Sequence, residues 1–490
     1  MFCPVTPPRR GIPLVLGLIL FTIGWHETSA AEQTSSQGTP QPAGSTTTSA
    51  DKARELLALG KRMLRQGKTQ EAESVLAEAV KLDTKLVEAR IQLGNLQLKK
   101  SRYQEALEHF REAVRQQPKN ADARTMAGVV MYRLGMKQQA LTEFTRAVQL
   151  APKNKSARES LGSLLLERQM LIPAATHYAE TVRLFPEDSE SYNDYGVVLI
   201  QLDKPPEAIT QFRKAIQLEP DYGSAHHNLG KALAMGWRLD EAAKAFRKSL
   251  KISPENLSTH IELGRILLRQ QQYEEAIDQL NKLLERKSDV AEAHYLIGVA
   301  QGELGQHEQA LGPLTESLRL RPEHVLANYQ LGRLMDKLDR PAQAATHLSN
   351  ALRIDPGNAD AHFLMGHVQE KLGNAAQAIS YYREASWLRS DWDQPKAALA
   401  LLLATHEDHL QRDGAKALRL ATNCLDRTRE RMADILGALA SANAENGQFS
   451  EAVEHQRQAL EWAGETGNEE LIRDMTDRLE LYEAEKPYRR

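Results

Sequence analysis

Residues 87–120 read VEARIQLGNLQLKKSRYQEALEHFREAVRQQPKN, and the same pattern returns every 34 residues along most of the chain. The segment holds Gly94, Ala106, Phe110 and Pro118 at fixed distances from one another. A fixed period between about 20 and 50 residues is typical of repeat proteins, in which one supersecondary unit is copied and stacked. The glycine of the pattern recurs at Gly60, Gly94, Gly128, Gly162, Gly196, Gly230, Gly264, Gly298, Gly332 and Gly366.

Each period contains the apolar spacing of two helices. In the quoted segment, Phe110 comes four residues after Ala106 and Ala113 comes seven residues after it, and the other periods have similar residues at these positions. Spacings of four and seven place side chains on one face of a helix. Leu93 and Gly94 belong to the apolar stripe of a preceding helix. Each period is therefore predicted to be a helix–turn–helix hairpin.

The ends of the predicted helices are marked by residues that stop or start helices. Pro118 follows the second helical pattern, and proline ends a helix because it lacks an amide donor and clashes with the preceding turn. Asn120 comes two residues later, where a cap for the next helix is needed. Other periods place a cap at Asn154, Asp188, Asp221, Asn256 and Asn358, and a glycine in the turn inside the hairpin at Gly67, Gly135, Gly305, Gly373 and Gly447.

The order Leu-Gly, Ala, Phe, Ala and Pro in residues 93–118 resembles the pattern of the tetratricopeptide repeat (TPR) family, and in particular exported bacterial members. The resemblance implies an all-α fold, a right-handed TPR α-solenoid of about twelve helix-turn-helix hairpins with a C-terminal capping helix. We expect ten regular units in residues 53–392 and two degenerate units with an insertion in residues 393–466. The capping helix and a tail are expected in residues 467–490.

The first residues have the order of a secretory signal. Arg9 and Arg10 precede an apolar stretch, and small residues follow it up to Ala31. We predict a signal peptide in residues 1–31 and a disordered Ser/Thr/Pro/Gly linker in residues 32–51. The mature protein is then exported to the periplasm or another extracytoplasmic space. The alternative is an inner-membrane anchor formed by residues 12–25.

Composition argues against several classes of function. The chain has 62 Lys and Arg against 65 Asp and Glu, a net charge of −3, so it lacks the strong basic field that favours nucleic acid. Of its two cysteines, Cys3 lies in the predicted signal, which leaves Cys424 without an internal disulfide partner. The sequence has no phosphate-binding glycine loop and no nucleophile elbow. We therefore predict no enzymatic activity, no cofactor and no metal.

Two groups of histidines need a separate interpretation. Within the first group, each histidine lies four residues before a repeat glycine, which favours packing between helices over a metal site. The second group lies in the predicted insertion, where we favour a solvated loop and keep weak metal binding by His406, Asp408 and His409 as the alternative. The first group consists of His226, His260, His294 and His362.

Candidate binding residues follow from the resemblance, which implies that first helices line a concave groove through repeat positions 2, 5, 9 and 12. An aromatic row beside a basic row would suit an extended, acidic peptide or a partner helix. We predict a protein-interaction scaffold; the alternative is a structural spacer or self-associating element of an envelope assembly, secretion or polysaccharide-export complex. The aromatics could instead pack on neighbouring helices. The residues are Tyr295, Tyr329, Phe363, Lys231, Arg265, Arg333, His367 and His227.

Overall fold

A computed structural model describes residues 48–425, 432–466 and 468–489. Every regular element within these ranges is an α-helix, which confirms the predicted all-α repeat fold. None of the helices in these ranges combines the length and the apolar character needed to cross a bilayer. The predicted signal peptide and residues 32–47 of the predicted linker lie outside the described residues.

The chain separates into two compact units, with the boundary between Gln116 and Gln117. In the first unit, Thr48 caps the first helix, so the last three residues of the predicted linker are helical. This unit contains α1 (Ser49–Arg65), α2 (Thr69–Leu82), α3 (Val87–Lys99) and α4 (Tyr103–Gln116).

The second unit contains the remaining helices. They are α5 (Ala121–Arg133), α6 (Lys137–Leu150), α7 (Lys155–Glu167), α8 (Leu171–Leu184), α9 (Ser189–Gln201), α10 (Pro205–Leu218), α11 (Gly223–Met235), α12 (Leu239–Ile252), α13 (Leu257–Arg269), α14 (Tyr273–Arg286), α15 (Ala291–Glu303), α16 (His307–Leu320), α17 (Val325–Lys337), α18 (Pro341–Ile354), α19 (Ala359–Lys371), α20 (Ala375–Leu388), α21 (Asp393–Thr405), α22 (Gly414–Leu425), α23 (Met432–Glu445), α24 (Phe449–Thr466) and α25 (Glu469–Glu483).

These helices pair in chain order as antiparallel hairpins, from α5 with α6 to α23 with α24. In the regular hairpins the first helix has 13 residues and the second has 14, and the two connections complete the 34-residue period. α25 packs on α24 and covers the last hairpin. Its bounds fall inside the segment where a capping helix is expected.

The turn inside each of the ten regular hairpins, and the turn between α23 and α24, holds one residue with a positive φ. Glycines occupy this place in five turns, with φ between 75° and 78°, where the sequence predicts them. In the third hairpin, the N–H of Met136 donates to the carbonyl of Met131 at 2.8 Å and closes the turn around Gly135. The other turns hold non-glycine residues with φ between 54° and 59°, namely Ser101, Gln169, Asp203, Trp237, Gln271 and Asp339.

The predicted helix caps are found with one exception. Five of the six predicted residues accept a hydrogen bond from the backbone N–H three residues later: Asn120, Asn154, Asp188, Asn256 and Asn358. Asp221 does not cap α11, because Tyr222 is the N-cap residue and the Asp221 carboxylate instead pairs with Lys248 at 3.0 Å. His324 caps α17 with Nδ1, which accepts from the Ala327 N–H at 3.3 Å.

The core of each hairpin is a large side chain packed on the bare backbone of the repeat glycine. In the hairpin of α9 and α10, Phe212 is fully buried, as are Ala208 and Ala215 on the same helix face. A Cβ added at Gly196 would lie only 2.5 Å from the Phe212 ring. The glycine is therefore required where the two helices approach most closely.

Candidate functional site

The predicted binding residues lie on the first helices of five consecutive hairpins: α11, α13, α15, α17 and α19. Each of these helices contacts the next one in the series. We name the surface formed by positions 2, 5, 9 and 12 of these helices, counted from the first residue of each helix, the A face. Position 5 carries His227, Tyr295, Tyr329 and Phe363, and position 9 carries Lys231, Arg265, Arg333 and His367.

The aromatic side chains of the A face are half-buried against the following hairpin. The Tyr295 ring lies 4.8 Å from the ring of His324, and the Phe363 ring lies 5.0 Å from that of Trp392. His324 and Trp392 are the N-cap residues of α17 and α21. Tyr329 is also half-buried. The aromatic row is thus partly a packing element, and its rings are only partly exposed.

His227, at position 5, differs chemically from the basic residues at position 9. Its Nδ1 lies 2.8 Å from the Thr259 hydroxyl, and its ring packs 5.6 Å from that of Phe246. Burial, and then the charge of Lys231, lower the pKa of His227 to about 4. The imidazole is therefore neutral at pH 7 and adds no positive charge to the A face.

Three members of the basic row lie beside carboxylates of another first helix, and the two arginines among them form ion pairs. Arg265 pairs with Glu292 at 2.7 Å, and Arg333 pairs with Glu303 at 2.6 Å. His367 lies 3.4 Å from the Asp336 carboxylate. Lys231 forms no ion pair within the described part of the chain. These pairs join neighbouring hairpins and neutralise most of the basic row.

Glu292 is an A-face residue that the sequence-based analysis did not include. It lies at position 2 of α15 and interacts with Arg265 and with the His324 ring at 3.3 Å. Burial opposes its charge, but the hydrogen bond from His324 and the charge of Arg265 outweigh burial and lower the pKa of Glu292 to about 2. The 27-residue spacing from Arg265 is a usable sequence signal only once the repeat register is known.

Tyr295 lies at the centre of this group. Burial raises the pKa of the Tyr295 hydroxyl to about 12, and the charge of Glu292 acts in the same direction. The charges of Arg265 and Arg333 oppose that shift. Both guanidinium groups are therefore close enough to act on the Tyr295 hydroxyl. Residues from α13, α15 and α17 therefore converge on one part of the A face.

A group of carboxylates lies on earlier first helices of the second unit. Asp194 of α9 is partly buried, and its Oδ2 accepts a hydrogen bond from the Tyr178 hydroxyl at 3.4 Å. Burial and then the charge of Glu190 raise the pKa of Asp194 to about 7, and the charge of Glu159 adds to this rise. The hydrogen bonds from Asn193 and Tyr178 act in the opposite direction.

Replacing Asp194 with asparagine is expected to stabilise the protein more at about pH 8.5 than at about pH 5. The reference pKa of aspartate is 3.8, below the value of about 7 in the folded chain. The stability associated with the neutral carboxyl is therefore complete below pH 3.8 and is lost as the pH rises through 7. The gain should differ by on the order of 2 kcal/mol between the two conditions. Thermal unfolding of both proteins at both pH values measures it, and an equal gain at the two would contradict the raised pKa.

The histidines that precede the repeat glycines have a structural role in the hairpin junctions. Each lies at position 4 of a first helix, and its Nε2 lies 2.9–3.0 Å from the carbonyl oxygen of the residue six positions earlier. Arg124 and Arg158 bond the equivalent carbonyls of Pro118 and Pro152. The same interaction is made by His226, His260, His294 and His362, with Pro220, Pro254, Ser288 and Pro356.

The inserted segment between α21 and α22 is held by internal hydrogen bonds. The His406 Nδ1 accepts from the Asp408 N–H at 2.9 Å, and Arg412 donates to the carbonyls of His406 and Glu407 at 2.7 Å each. The His409 side chain is exposed. Within the described ranges, no three His, Cys, Asp or Glu side chains are placed to hold a metal ion.

Comparisons with known proteins give the family. Models described as "Tetratricopeptide repeat" match residues 57–121 and 91–155, 232–299 and 337–402, and 433–466. A model described as "TPR repeat" matches residues 196–236. Together these matches cover more than half of the chain. No curated protein matches it.

Several solved structures are similar to parts of the chain. YrrB, a TPR protein with an unusual peptide-binding site, is 23% identical and has a TM-score of 0.34, over 38% of this chain and 97% of its own. MamA from Desulfovibrio magneticus RS-1 is 23% identical, with a TM-score of 0.33 over 35% and 96% of the two chains. Yeast Tom70 is 15% identical, with a TM-score of 0.37 over 88% and 96%. The repeated hairpins and the family models together show that this chain belongs to the tetratricopeptide repeat proteins.

Proposed function

We propose that this protein is a non-enzymatic scaffold that binds an extended peptide or partner helix of acidic character along the A face. The observation that carries the proposal is the state of Arg265. Its guanidinium is held by Glu292, yet 46% of its side chain is exposed, beside Tyr295. A fixed and accessible guanidinium next to an aromatic ring is suited to bind a carboxylate.

The arrangement lowers the cost of binding. Glu292 accepts from one terminal nitrogen of Arg265, and the other donors of this guanidinium have no partner among the described residues. His324 in turn holds Glu292, so both members of the pair are oriented before a ligand arrives. Because little side-chain freedom remains to be lost, a carboxylate added to Arg265 would retain most of its interaction energy.

The spacing of the cations defines the partner further. Lys231 and Arg265 occupy position 9 in adjacent hairpins. Packed helices lie about 8–10 Å apart, and an extended chain advances about 3.3–3.6 Å per residue. We therefore expect acidic residues about three positions apart in a partner that runs across the hairpins. Because the arginines of the A face are paired with carboxylates, the face has no broad positive field. We therefore do not expect a partner whose binding depends on such a field.

We place this activity outside the cytoplasm. The support is the order of charged, apolar and small residues in 1–31, which is that of a secretory signal. The partner would then be a component of an extracytoplasmic assembly. Fractionation of cells that express the full chain tests this placement, and recovery of the protein in the cytoplasm with residues 1–31 still attached would overturn it.

Selection from a displayed library of random peptides tests the binding proposal. We expect the purified protein to enrich peptides with acidic residues about three positions apart. Replacing both Arg265 and Arg333 with glutamine should lower the affinity for the selected peptides by about 10- to 100-fold, since a hydrogen bond to a charged group contributes about 1.5–3 kcal/mol. Titration calorimetry with one selected peptide measures the change.

Arg247→Gln is the matched control. Arg247 is 44% exposed and pairs with Glu275 at 2.5 Å, as Arg265 does with Glu292, but it lies on a second helix, α12. The Arg247→Gln variant should bind the selected peptide as tightly as the wild type does. If no peptide is enriched, or if both variants bind like the wild type, the A face is not the receptor. Concentration-dependent light scattering would then test the spacer alternative.

A further inference from the structure

We infer that α21 and α23 form a second peptide-binding site, around Glu445, for an aromatic residue followed by arginine, and that residues 484–489 of this chain occupy it. We name these residues the return segment. The site lies on the two hairpins that follow the A-face residues discussed above, and the inference does not depend on their function. Its evidence is the path and the contacts of the return segment.

The return segment reverses direction directly after α25. Glu485 has a φ of 55°, and the Lys486 N–H donates to the Leu481 carbonyl at 2.8 Å, which closes a left-handed turn at the helix end. Residues 484–486 are exposed, whereas Pro487, Tyr488 and Arg489 are half-buried. The segment is therefore anchored by its last residues and not along its whole length.

Tyr488 and Arg489 make the anchoring contacts. The Tyr488 ring packs against the cluster formed by Ala440 and Ala444 of α23, Ala452 and Tyr482, and its centroid lies 4.8 Å from the guanidinium of Arg478. A guanidinium nitrogen of Arg489 lies 2.6 Å from a carboxylate oxygen of Glu445, at the end of α23. The same guanidinium lies 3.5 Å from the carbonyl oxygen of Ala404 in α21. Small residues thus receive the ring and a carboxylate receives the charge.

The contact with Glu445 can be released without leaving a charge unpaired. Arg412 donates through Nε to the Glu445 carboxylate at 3.0 Å, and it is fixed by the carbonyls of the inserted segment. Glu445 therefore keeps one guanidinium partner when Arg489 departs, and the penalty of an isolated buried carboxylate is avoided. An aromatic–arginine dipeptide from another chain has the groups needed to replace the return segment.

Covalent attachment gives the return segment a large advantage over a free peptide, because a tethered ligand acts at an effective concentration of about millimolar. The test therefore weakens the tethered copy and supplies the same sequence in solution. The protein is the full chain carrying Tyr488→Ala and Arg489→Ala, and the probe is a fluorescein-labelled peptide Ala-Glu-Lys-Pro-Tyr-Arg. We expect this variant to bind the probe at least about tenfold more tightly than the wild type does.

A probe carrying the equivalent of Arg489→Ala is the ligand-side control and should lose about tenfold in affinity for the double variant. The single variant Arg489→Ala, which leaves Tyr488 in place, provides a second protein if the double variant does not fold. It should show a smaller gain than the double variant. Equal binding of the probe by wild type and variants, no binding by either variant, or equal binding of both probes would overturn the inference.

Discussion

Replacing Phe212 with alanine is expected to lower the free energy of unfolding by about 3–5 kcal/mol. The ring is fully buried in the cluster that joins α9, α10 and the hairpins after them. It lies on the backbone of Gly196, which has no side chain to move into the vacated space. The loss therefore combines the lost transfer free energy of the ring with the cavity that remains.

Urea unfolding followed by circular dichroism measures the effect, with hydrogen exchange to locate it. Because repeats are stabilised by their neighbours, α9 to α11 should lose protection before the rest of the second unit. Phe212→Leu is the control and should cost less than Phe212→Ala, because leucine fills more of the space left by the ring. Leucine fills the corresponding place at Leu280, Leu314 and Leu348. Equal losses for Ala and Leu would contradict the packing argument.

Replacing Gly196 with alanine tests the same contact from the other helix. The added Cβ would lie 2.5 Å, 2.7 Å and 2.8 Å from three atoms of the Phe212 ring, closer than van der Waals contact allows. Because the ring is enclosed, either it or the helix backbone must shift. We expect a loss of about 1–3 kcal/mol, typical of overpacked cores.

Gly464→Ala is the matched control for this substitution. Gly464 lies inside α24 and is exposed, and an added Cβ would meet nothing within 4 Å among the described atoms. This variant should gain about 0.5–1 kcal/mol from the helix propensity of alanine. In the double variant Gly196→Ala, Phe212→Ala, the methyl group enters the cavity, so the loss should be smaller than the sum of the single losses. Strict additivity would show that the two residues are not in contact.

The fold could be predicted from the sequence because its contacts recur at a fixed spacing. Gly196, Ala208 and Phe212 occupy three fixed positions of one hairpin. Residues of the same kinds occupy the equivalent positions of the others. The sequence of a single hairpin does not define a fold, but the repetition of the same pattern in register predicts a stack of hairpins. The six non-glycine turns were not predictable in this way. Trp237 has a φ of 57° although bulky residues rarely adopt it, so the neighbouring helices impose that conformation.

The candidate site was predicted less completely, because its chemistry depends on pairs of residues from different hairpins. The sequence assigned Arg265 and His227 to the groove by their repeat positions, yet one is ion-paired and accessible and the other is neutral and enclosed. The difference arises because Glu292 pairs with Arg265, whereas burial keeps His227 neutral. Similarly, the partners of Tyr295 and Phe363 are cap residues of the next hairpin, which a pattern based on helix faces does not consider.

The path of residues 484–489 also lay beyond the sequence-based analysis. No periodic signal covers Tyr488 and Arg489, and the carboxylate that binds Arg489 belongs to a different hairpin. Only the Schellman-type turn at Glu485 brings these residues back to α23. A non-repeating segment of this kind is defined by three-dimensional contacts alone.

The hydrogen bond made by position 4 of the first helices means that the joint between hairpins and the surface of the A face depend on different residues. At three junctions the equivalent backbone carbonyl is bonded by a different type of side chain: by Arg158, by His226 and by Lys396. Position 5, directly beside it, belongs to the A face. Hairpins that carry such a residue at position 4 can therefore form the same junction, and under the proposed function their position 5 is free to vary with the ligand.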